Sequence, residues 1–298
     1  MANSPKHLDG NAVAEKILKR TAARVQRLRD ESEITPALAT VLVGKDPASS
    51  TYVRMKQRRC RAVGMESIGI QLPDTISTAD LVAEIQKLSR DDHVHGILLQ
   101  HPVPHGIDER AAFEAIAPEK DVDGVTLQNF ALTALGGEAN TGFDCCTPGG
   151  IMRLLAAYNV DLKGRQAVVI GRSPIVGKPM AMMLLAAHAT VTICHSRTVD
   201  LPQVVATADL VVAAVGKPRF VHGDWIRPDA IVVDAGYNPG NVGDVDFDTA
   251  ATRASMITPV PGGVGPMTIA TLIEQTATAA ARRAGLKTGT TLGEGDAA

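Results

Sequence analysis

The stretch VVIGRSPIVGKP, residues 168–179, decides how the second half of the chain is expected to fold. An apolar run ends at Gly171, a short turn follows, and a helix is predicted to begin near Gly177. Small residues in such a turn let backbone N–H groups approach a pyrophosphate at a helix N-terminus. The spacing departs from GxGxxG, because Ser173 and Val176 replace its second and third glycines. An ordinary strand-to-helix turn therefore remains an alternative.

The segment CHSRT, which follows the next predicted strand, bears on the choice of cofactor. An NAD site usually carries Asp or Glu here to bind the ribose 2′-OH. This chain instead has His195, Ser196 and Arg197, with no carboxylate before Asp200, and Arg172 lies in the neighbouring turn. Cationic and hydroxyl groups suit a 2′-phosphate, so the pattern favours NADP over NAD. A solvated basic loop is the alternative.

The rest of the chain alternates apolar strands with amphipathic helices. In the first half, strands are predicted at 38–44, 66–73 and 94–102, and helices at 11–30, from Pro47, at 77–91 and at 108–117. In the second half, strand 165–171 opens a further alternation that ends in a helix from about 265 to 285. The pattern predicts parallel sheets with covered faces and ligands beyond the carboxyl ends of the strands.

Composition excludes several classes of protein. The 298 residues suffice for one large or two medium domains, and 45% hydrophobic content supplies a large core. A net charge of −2 gives no bulk attraction to nucleic acid. No apolar run reaches about 18 residues, which predicts no membrane span, and the N-terminus lacks a signal-peptide pattern. The four cysteines lack metal-binding spacing, so we expect free thiols in the cytoplasm and no metal site.

The helix TYVRMKQRRCRAVGM, residues 51–65, directs a lysine at its apolar side. Four apolar residues are predicted to form an arc centred near Tyr52, namely Met55, Cys60, Ala62 and Val63. Lys56 points into this arc. A buried lysine loses solvation, its pKa falls, and it can then move protons near neutral pH. The alternative is that Lys56 extends past the helix edge to water, and Arg59 on the same face, whose role is unexplained, favours that alternative.

Three further stretches carry candidate residues. Gln100 in LLQHP falls at a predicted strand end, where it could hold a lysine, a substrate or only the local backbone. In EKDVDG, Asp121 and Asp123 precede a glycine, which is also common turn chemistry. In the stretch TPVPGGVGPMT, residues 258–268, the prolines stiffen the backbone and the glycines let it lie close against a flat ligand. One of its X–Pro bonds is a candidate for the cis form. Its alternative is a helix-entry loop with Pro266 in the first turn.

Taken together, these stretches resemble one family, the bifunctional methylenetetrahydrofolate dehydrogenase/methenyltetrahydrofolate cyclohydrolases. The resemblance runs from about residue 8 to 284, with the motifs in the family's order. The matching pieces are VGKDPASSTYVRMK, GILLQHPVP, PEKDVDG, CTPGG, VVIGRSPIVGKPM, CHSRT and ITPVPGGVGPMTIA.

The resemblance implies a particular site. Lys56 corresponds to the catalytic lysine, Gln100 to the glutamine that holds it, and Tyr52 to the tyrosine that packs on the folate. The implied folate-binding residues are Tyr52, Asp123, Pro261, Gly262 and Gly263. The implied NADP-binding residues are Gly171, Arg172, Ser173, Ile175, Gly177, His195, Ser196 and Arg197.

The resemblance also implies an architecture and an activity. We expect an α/β fold of two lobes, the C-terminal one a Rossmann-type parallel sheet, with the active-site cleft between them. The expected divisions are a folate-binding catalytic domain at 1–145 with helix 267–285 packing back on it, an NADP-binding domain at 146–266, and a mobile tail at 286–298. The implied enzyme oxidises 5,10-methylenetetrahydrofolate with NADP⁺, hydrolyses the methenyl product, and forms a homodimer through its cofactor domain.

Two rivals and three departures accompany this interpretation. The rivals are another two-domain NADP dehydrogenase with a catalytic lysine, of the shikimate type, and a non-catalytic Rossmann-type binding protein. The departures are His101 where the family usually has Leu, Cys145 where it has Pro, and Gly149 where it has Lys or Arg. His101 is expected to change local charge or substrate fit, and Gly149 to weaken a cofactor or inter-domain contact.

Overall fold

The computed structural model describes residues 5–136 and 141–286, and the described chain divides into two compact units. The six-stranded unit comprises the described residues of Met1–Glu15 and Phe130–Thr271. The three-stranded unit comprises those of Lys16–Asn129 and Leu272–Ala298. The predicted division near residue 145 stays a prediction, and the tail from residue 287 onward lies outside the described residues.

Strands and helices alternate along both units. The strands within the described ranges are β1 (Lys6–His7), β2 (Ala37–Val43), β3 (Glu66–Leu72), β4 (Gly96–Leu99), β5 (Gln166–Ile170), β6 (Thr190–Cys194), β7 (Leu210–Ala213), β8 (Ile231–Asp234) and β9 (Met256–Ile257). The α-helices are α1 (Gly10–Ser32), α2 (Pro47–Ala62), α3 (Thr78–Arg90), α4 (Glu109–Glu114), α5 (Leu127–Leu135), α6 (Cys146–Ala157), α7 (Gly177–Ala186), α8 (Leu201–Val205), α9 (Phe247–Ala250) and α10 (Val264–Arg283). Sequence analysis missed β1 and β9, because a two-residue strand carries no periodicity.

The sheet of the three-stranded unit has the order β3-β2-β4, with both pairs parallel. The central strand β2 is buried along its whole length, whereas β3 alternates towards solvent. This explains the uninterrupted apolar sequence of β2, since a strand covered on both faces has no place for polar side chains. The N–H of Gln100, just after β4, still donates to the carbonyl of Val41 in β2 at 2.9 Å. Gln100 therefore lies at the carboxyl edge of this sheet.

The sheet of the six-stranded unit has the order β1-β9-β8-β7-β5-β6, and every pair is parallel. The chain passes from β5 to β6 on one side and then returns to place β7 on the other side of β5. Connections thus reverse direction between β5 and β7, which is the switch point where doubly wound sheets bind ligands. The strands β7 and β8 are fully buried, as their valine-rich sequences predict.

The predicted parallel α/β fold, with a Rossmann-type sheet in the second half, is confirmed. The predicted start of α2 is also confirmed, since the Asp46 side chain accepts the N–H of Ser49 at 2.7 Å. The predicted strand 94–102 is wrong in length: the structure has Gly96–Leu99, because Val94 belongs to a turn and Pro102 has no N–H for the ladder.

The stretch 118–150, for which the composition predicts a linker or lobe boundary, contains the helix α5. One of the three points where the chain passes between the two units falls inside it, between Asn129 and Phe130. Its polar composition predicts loop chemistry, whereas Asp121 and Asn129 are buried side chains that hydrogen-bond each other.

Candidate active site

A buried lysine–glutamine pair is the central feature of the three-stranded unit. Lys56 on α2 is 8% exposed, and its Nζ donates to Oε1 of Gln100 at 3.1 Å. The amide nitrogen of Gln100 donates to the carbonyl of His101 at 2.6 Å, which fixes the orientation of the amide. The oxygen of Gln100 must therefore face the ammonium group. The structure brings together the two residues that the sequence treats as a pair.

The apolar arc predicted for α2 is wrong in direction. The buried side chains along the helix and its C-cap include Ser49, Val53, Lys56, Cys60 and the cap residue Val63. Met55 is 49% exposed, and Ala62 and Arg59 are exposed as well. At about 100° per residue, the buried stripe is centred roughly 60° from Tyr52, near Lys56 itself. Because the spacing 53/56/60/63 defines the packed face, Lys56 lies closer to its centre than the sequence predicts, and Tyr52 is half-buried at its edge.

The DVDG turn is held by its first aspartate. Asp121 is fully buried, and its carboxylate accepts the backbone N–H groups of Val125 at 3.1 Å and Thr126 at 2.8 Å. The side-chain amide of Asn129 donates to the same carboxylate at 2.8 Å. Asp123, the second aspartate of the motif, is half-buried. The resemblance assigns the folate to Asp123 alone, and the sequence interprets Asp121 only as turn chemistry, so its buried hydrogen-bond network was not predicted.

His101 pairs with an acidic residue on α4. Its Nδ1 lies 2.8 Å from Oε1 of Glu109, which also accepts the N–H of Val103 at 3.1 Å. Burial alone would raise the pKa of Glu109, but the hydrogen bond and charge of His101 leave it lowered. His101, the residue next to Gln100, was expected to change the local charge. In the structure its ring lies beside the carboxylate of Glu109.

Steric closure shapes the glycine turn after β5 in the six-stranded unit. Gly171 has φ +136, and a Cβ placed on it would lie 2.2 Å from the carbonyl oxygen of Ala214. A Cβ on Gly177 would lie 2.2 Å from the carbonyl oxygen of Gly171. Both positions therefore require glycine, which the ordinary-turn alternative does not. The hydroxyl of Ser173 accepts the N–H groups of Val176 at 3.1 Å and Gly177 at 3.3 Å and so closes the turn.

The side chains of the turn and of CHSRT differ in exposure. Arg172, Ser196 and Arg197 are exposed, while Ile175 is half-buried. The ring Nδ1 of half-buried His195 accepts the N–H of Arg197 at 3.1 Å. An N–H can only donate, so Nδ1 carries no proton, and this bond shapes the loop.

The Pro/Gly loop before α10 is packed against the start of α1. The Val260–Pro261 bond is cis, as is His101–Pro102. The N–H of Asn11 donates to the carbonyl of Gly262 at 3.1 Å, and Gly262 has φ +110. A Cβ on Gly10 would lie 1.7 Å from the oxygen of Gly263, so the two backbones touch. The expected cis proline is confirmed for Val260–Pro261.

Two of the departures are buried, and no metal cluster accompanies the site. Cys145 is 2% exposed, and a Cβ on Gly149 would lie 3.3 Å from the Cβ of Asp144. All four cysteines are buried thiols that form no disulfide. Among residues 5–136 and 141–286, no group of three or more His, Cys, Asp or Glu side chains could hold a metal ion.

The six-stranded unit is a Rossmann-type sheet with a glycine turn at its switch point, and the other α/β unit of the chain carries a buried lysine. These features together are typical of the class of two-domain dinucleotide-dependent enzymes. Family models refine this class. Residues 8–123 match the catalytic domain, and residues 145–284 the NAD(P)-binding domain, of tetrahydrofolate dehydrogenase/cyclohydrolase. The chain belongs to the tetrahydrofolate dehydrogenase/cyclohydrolase family.

Known proteins agree with this assignment along almost the whole chain. A relative from Streptomyces avermitilis, named bifunctional protein FolD 1, is 60% identical over 280 residues, 94% of this chain and 96% of the relative. The crystal structure of the bifunctional FolD enzyme from Campylobacter jejuni is 45% identical with a TM-score of 0.90, covering 94% of this chain and 100% of that one. The FolD of Trypanosoma brucei, solved with NADP and an inhibitor, is 37% identical with a TM-score of 0.89, covering 94% and 99%.

These comparisons decide between the interpretations of the sequence. The predicted family is confirmed, and with it the predicted bifunctional enzyme class. A shikimate-type dehydrogenase and a non-catalytic binding protein are not favoured. Within the described residues, no helix is long and apolar enough to cross a membrane.

Proposed function

We propose that this chain oxidises 5,10-methylenetetrahydrofolate to 5,10-methenyltetrahydrofolate with NADP⁺ and hydrolyses that product to 10-formyltetrahydrofolate. The observation that carries the proposal is the Lys56–Gln100 pair at 3.1 Å. It lies in a chain whose two halves match the catalytic and NAD(P)-binding domains of the family. The reactions belong to one-carbon metabolism and supply formyl groups for purine biosynthesis.

The turn after β5 supports NADP as the cofactor. Glycine at 171 and 177 lets the turn close directly onto backbone carbonyls where α7 begins, and a helix N-terminus favours a phosphate, so the residues present fit the group. Exposed Arg172, Ser196 and Arg197 supply cationic and hydroxyl groups suited to a 2′-phosphate, and Ile175 and His195 complete the proposed set. When bound, NADP⁺ accepts the hydride. The relative from Trypanosoma brucei was solved with this cofactor.

In the oxidation step, the protein's main task is to position the substrate. The folate nitrogens stabilise the cation that develops as hydride leaves, so orientation counts for more than acid–base chemistry. We assign Tyr52 to packing on the folate ring and Asp123 to accepting hydrogen bonds from its amino-pyrimidine edge. Pro261, Gly262 and Gly263 are assigned to the loop beside the folate and nicotinamide, where the two glycines, which carry no side chain, allow close approach.

In the hydrolysis step, a proton must leave the attacking water. Water adds to the methenyl carbon, one carbon–nitrogen bond breaks, and 10-formyltetrahydrofolate and a proton result. Lys56 is the proposed proton carrier, because its Nζ is buried and held by Oε1 of Gln100. Gln100 is fixed in turn by the carbonyl of His101. No proton passes through the amide, whose role is to orient Lys56.

The proposal is tested by Lys56→Met with Arg58→Met as its control. Arg58 is an exposed residue on the same helix, so its variant loses one charge without touching the pair. We expect Lys56→Met to lower methenyl hydrolysis, followed by near-ultraviolet absorbance without NADP⁺, by ~10²–10⁴-fold. NADPH binding, measured by fluorescence titration, should persist. Hydrolysis near the wild-type rate in Lys56→Met would sink the assignment of Lys56.

We also propose that the protein works as a cytoplasmic homodimer that associates through the six-stranded unit. Strand β6 is an edge of that sheet, and large apolar side chains near it are exposed, namely Leu185 at 56%, Ile193 at 38% and Val199 at 78%. An exposed apolar edge strand favours pairing with another chain. Four buried cysteines without a disulfide suit a reducing compartment. Light scattering that gives only a monomer mass would remove the dimer proposal.

A further inference from the structure

The loop that follows β7 lies directly against the glycine turn that follows β5. The N–H of Ala214 donates to the carbonyl of Ile170 at 2.8 Å. The carbonyl oxygen of Ala214 is the atom that a Cβ on Gly171 would meet at 2.2 Å. The shape of the Gly171 turn therefore depends on where the backbone after β7 is held.

One buried carboxylate holds that backbone. Asp244 is fully buried and accepts three consecutive N–H groups, from Val215 at 2.6 Å, Gly216 at 2.8 Å and Lys217 at 2.9 Å. The amide of Asn238 donates to the same carboxylate at 3.0 Å. Consecutive N–H groups that converge on one anion fix a loop more strongly than single neutral hydrogen bonds.

A second buried carboxylate holds Asp244 in its turn. Asp234, the last residue of β8, is 3% exposed. Its Oδ1 accepts the N–H groups of Gly236 and Asp244, both at 2.9 Å, and its Oδ2 accepts the N–H of Val245 at 2.8 Å. Burial raises the pKa of Asp234 to about 6, with the charge of Asp244 adding to the rise and the backbone N–H groups opposing it. We call Asp234 and Asp244 the carboxylate pair.

The carboxylate pair is enclosed by backbone. A Cβ on Gly243 would lie 1.9 Å from Oδ2 of Asp234, and one on Gly236 would lie 2.1 Å from Cγ of Asp244. The backbone at Gly236 and Gly243 therefore lies directly against the two carboxylates. Replacing Asp244 by a neutral amide therefore takes one acceptor oxygen and the negative charge from the N–H groups of residues 215–217 and weakens the hold on that loop.

We propose that Asp244 is a positioning residue of the cofactor site, which acts through the backbone of residues 215–217 on the Gly171 turn at the β5/β7 switch point. The substrate and cofactor never touch it. The inference rests on the proposed function, because it assigns NADP to that turn. Its consequence is selective: loss of Asp244 weakens nucleotide binding and leaves the NADP-independent hydrolysis intact.

The test is Asp244→Asn with Asp248→Asn as its matched control. Asp248 is exposed and lies in the same segment, so its variant makes the same change of charge away from the pair. For Asp244→Asn we expect the Kd for NADPH, measured by fluorescence titration, and the KM for NADP⁺ to rise about tenfold or more, since an amide group presents an N–H to the donors. Hydrolysis of the methenyl compound without NADP⁺ should stay within twofold of wild type.

A structural role alone would lower both activities together, and that result, or an unchanged Kd for NADPH, overturns the proposal. If Asp244→Asn does not fold, the variant Lys217→Pro tests the proposal instead. It removes one N–H donor of the loop and leaves the carboxylate pair intact. Position 217 precedes a proline and is already biased towards extended backbone. We expect a severalfold rise in the Kd for NADPH, and no change overturns the proposal. Wild-type protein that binds NADPH but does not oxidise the folate would refute the proposed function and leave the positioning role standing.

Discussion

The candidate site of the three-stranded unit consists of side chains, whereas that of the six-stranded unit consists mainly of backbone. In the first, Lys56, Gln100 and Tyr52 present functional groups from a helix and a strand end. In the second, Gly171 and Gly177 permit close approach, and buried carboxylates such as Asp244 hold the loops. The two units should therefore respond to different substitutions. The three-stranded unit should lose activity when a functional group is removed, and the six-stranded unit when a methyl group is added to a glycine.

After Lys56→Met, the largest expected effect is that of Gly171→Ala. The added Cβ would lie 2.2 Å from the carbonyl oxygen of Ala214, and φ +136 is strained for any other residue. NADP⁺-dependent oxidation should fall at least ~100-fold, because the turn can no longer keep its shape. The rates of NADP⁺-dependent oxidation and of NADP-independent hydrolysis are measured on the same protein sample. Only the rate of oxidation should fall.

Gly164→Ala is the matched control for that variant. Gly164 also has a positive φ, +75, but a Cβ there meets nothing within 4 Å. We expect only the backbone strain, about 1 kcal/mol, with both activities within twofold of wild type. Oxidation by Gly171→Ala at a rate equal to that of Gly164→Ala would break the contrast between the units.

An intermediate effect is expected from Gln100→Leu. The substitution removes the oxygen that accepts from Nζ of Lys56 and leaves the lysine otherwise unchanged. Hydrolysis of the methenyl compound should fall about tenfold, while NADPH binding in the other unit stays at its wild-type Kd. Gln128→Leu, the same change at an exposed position of α5, should alter neither quantity. A larger effect on NADPH binding than on hydrolysis would contradict the separation of roles.

The smallest expected effect is an opposite response of the two units to acid. In the three-stranded unit, burial lowers the pKa of His95 to about 4, with the positive charges of Arg283, His93 and Lys120 adding to the shift. The unfolded chain takes up a proton near pH 6.5, before the folded one does. The free energy of unfolding therefore decreases as pH falls from about 6.5 to about 4. His95→Gln, which removes this titration, should lose less stability on acidification than wild type, by about 1–2 kcal/mol after allowance for screening.

Asp234 in the six-stranded unit has the opposite sign. Its pKa is raised to about 6, so the folded state holds a proton that the unfolded chain loses above about pH 4. Its contribution to the free energy of unfolding thus increases as pH falls from about 6 to about 4, and Asp234→Asn should lose more stability on acidification than wild type. Urea unfolding at pH 4.5 and 7.5 measures both variants. Equal slopes for wild type and both variants would show that neither group titrates as described.

Much of this contrast could be predicted from the sequence. Gly171 and Gly177 could be found because they lie in a short glycine-containing turn between an apolar strand and a helix. The strands β2 and β5 could be found because buried parallel strands have uninterrupted apolar sequences. Lys56 was found, but with its helix face rotated, because periodicity shows that a face exists without showing which neighbours it packs against.

The buried carboxylates could not be predicted in the same way. Asp121, Asp234 and Asp244 occur among glycines and asparagines, where an aspartate is ordinarily a solvated turn residue. What distinguishes them is the set of N–H groups that converge on them, and for Asp244 those groups come from residues 215–217, nearly thirty positions earlier. Such partners become neighbours only through the order of strands in the sheet.

The contact of the Pro/Gly loop with the start of α1 has a consequence for how the chain folds. The N–H of Asn11 and the carbonyl of Gly262 belong to residues about 250 positions apart, among the most non-local pairs a chain of this length can form. During synthesis the segment around Asn11 is made about 250 residues before Gly262 and cannot form this hydrogen bond until Gly262 has been added. The loop assigned to the folate and nicotinamide therefore cannot make this contact until both distant segments have been synthesised, so its final shape depends on the segment around Asn11.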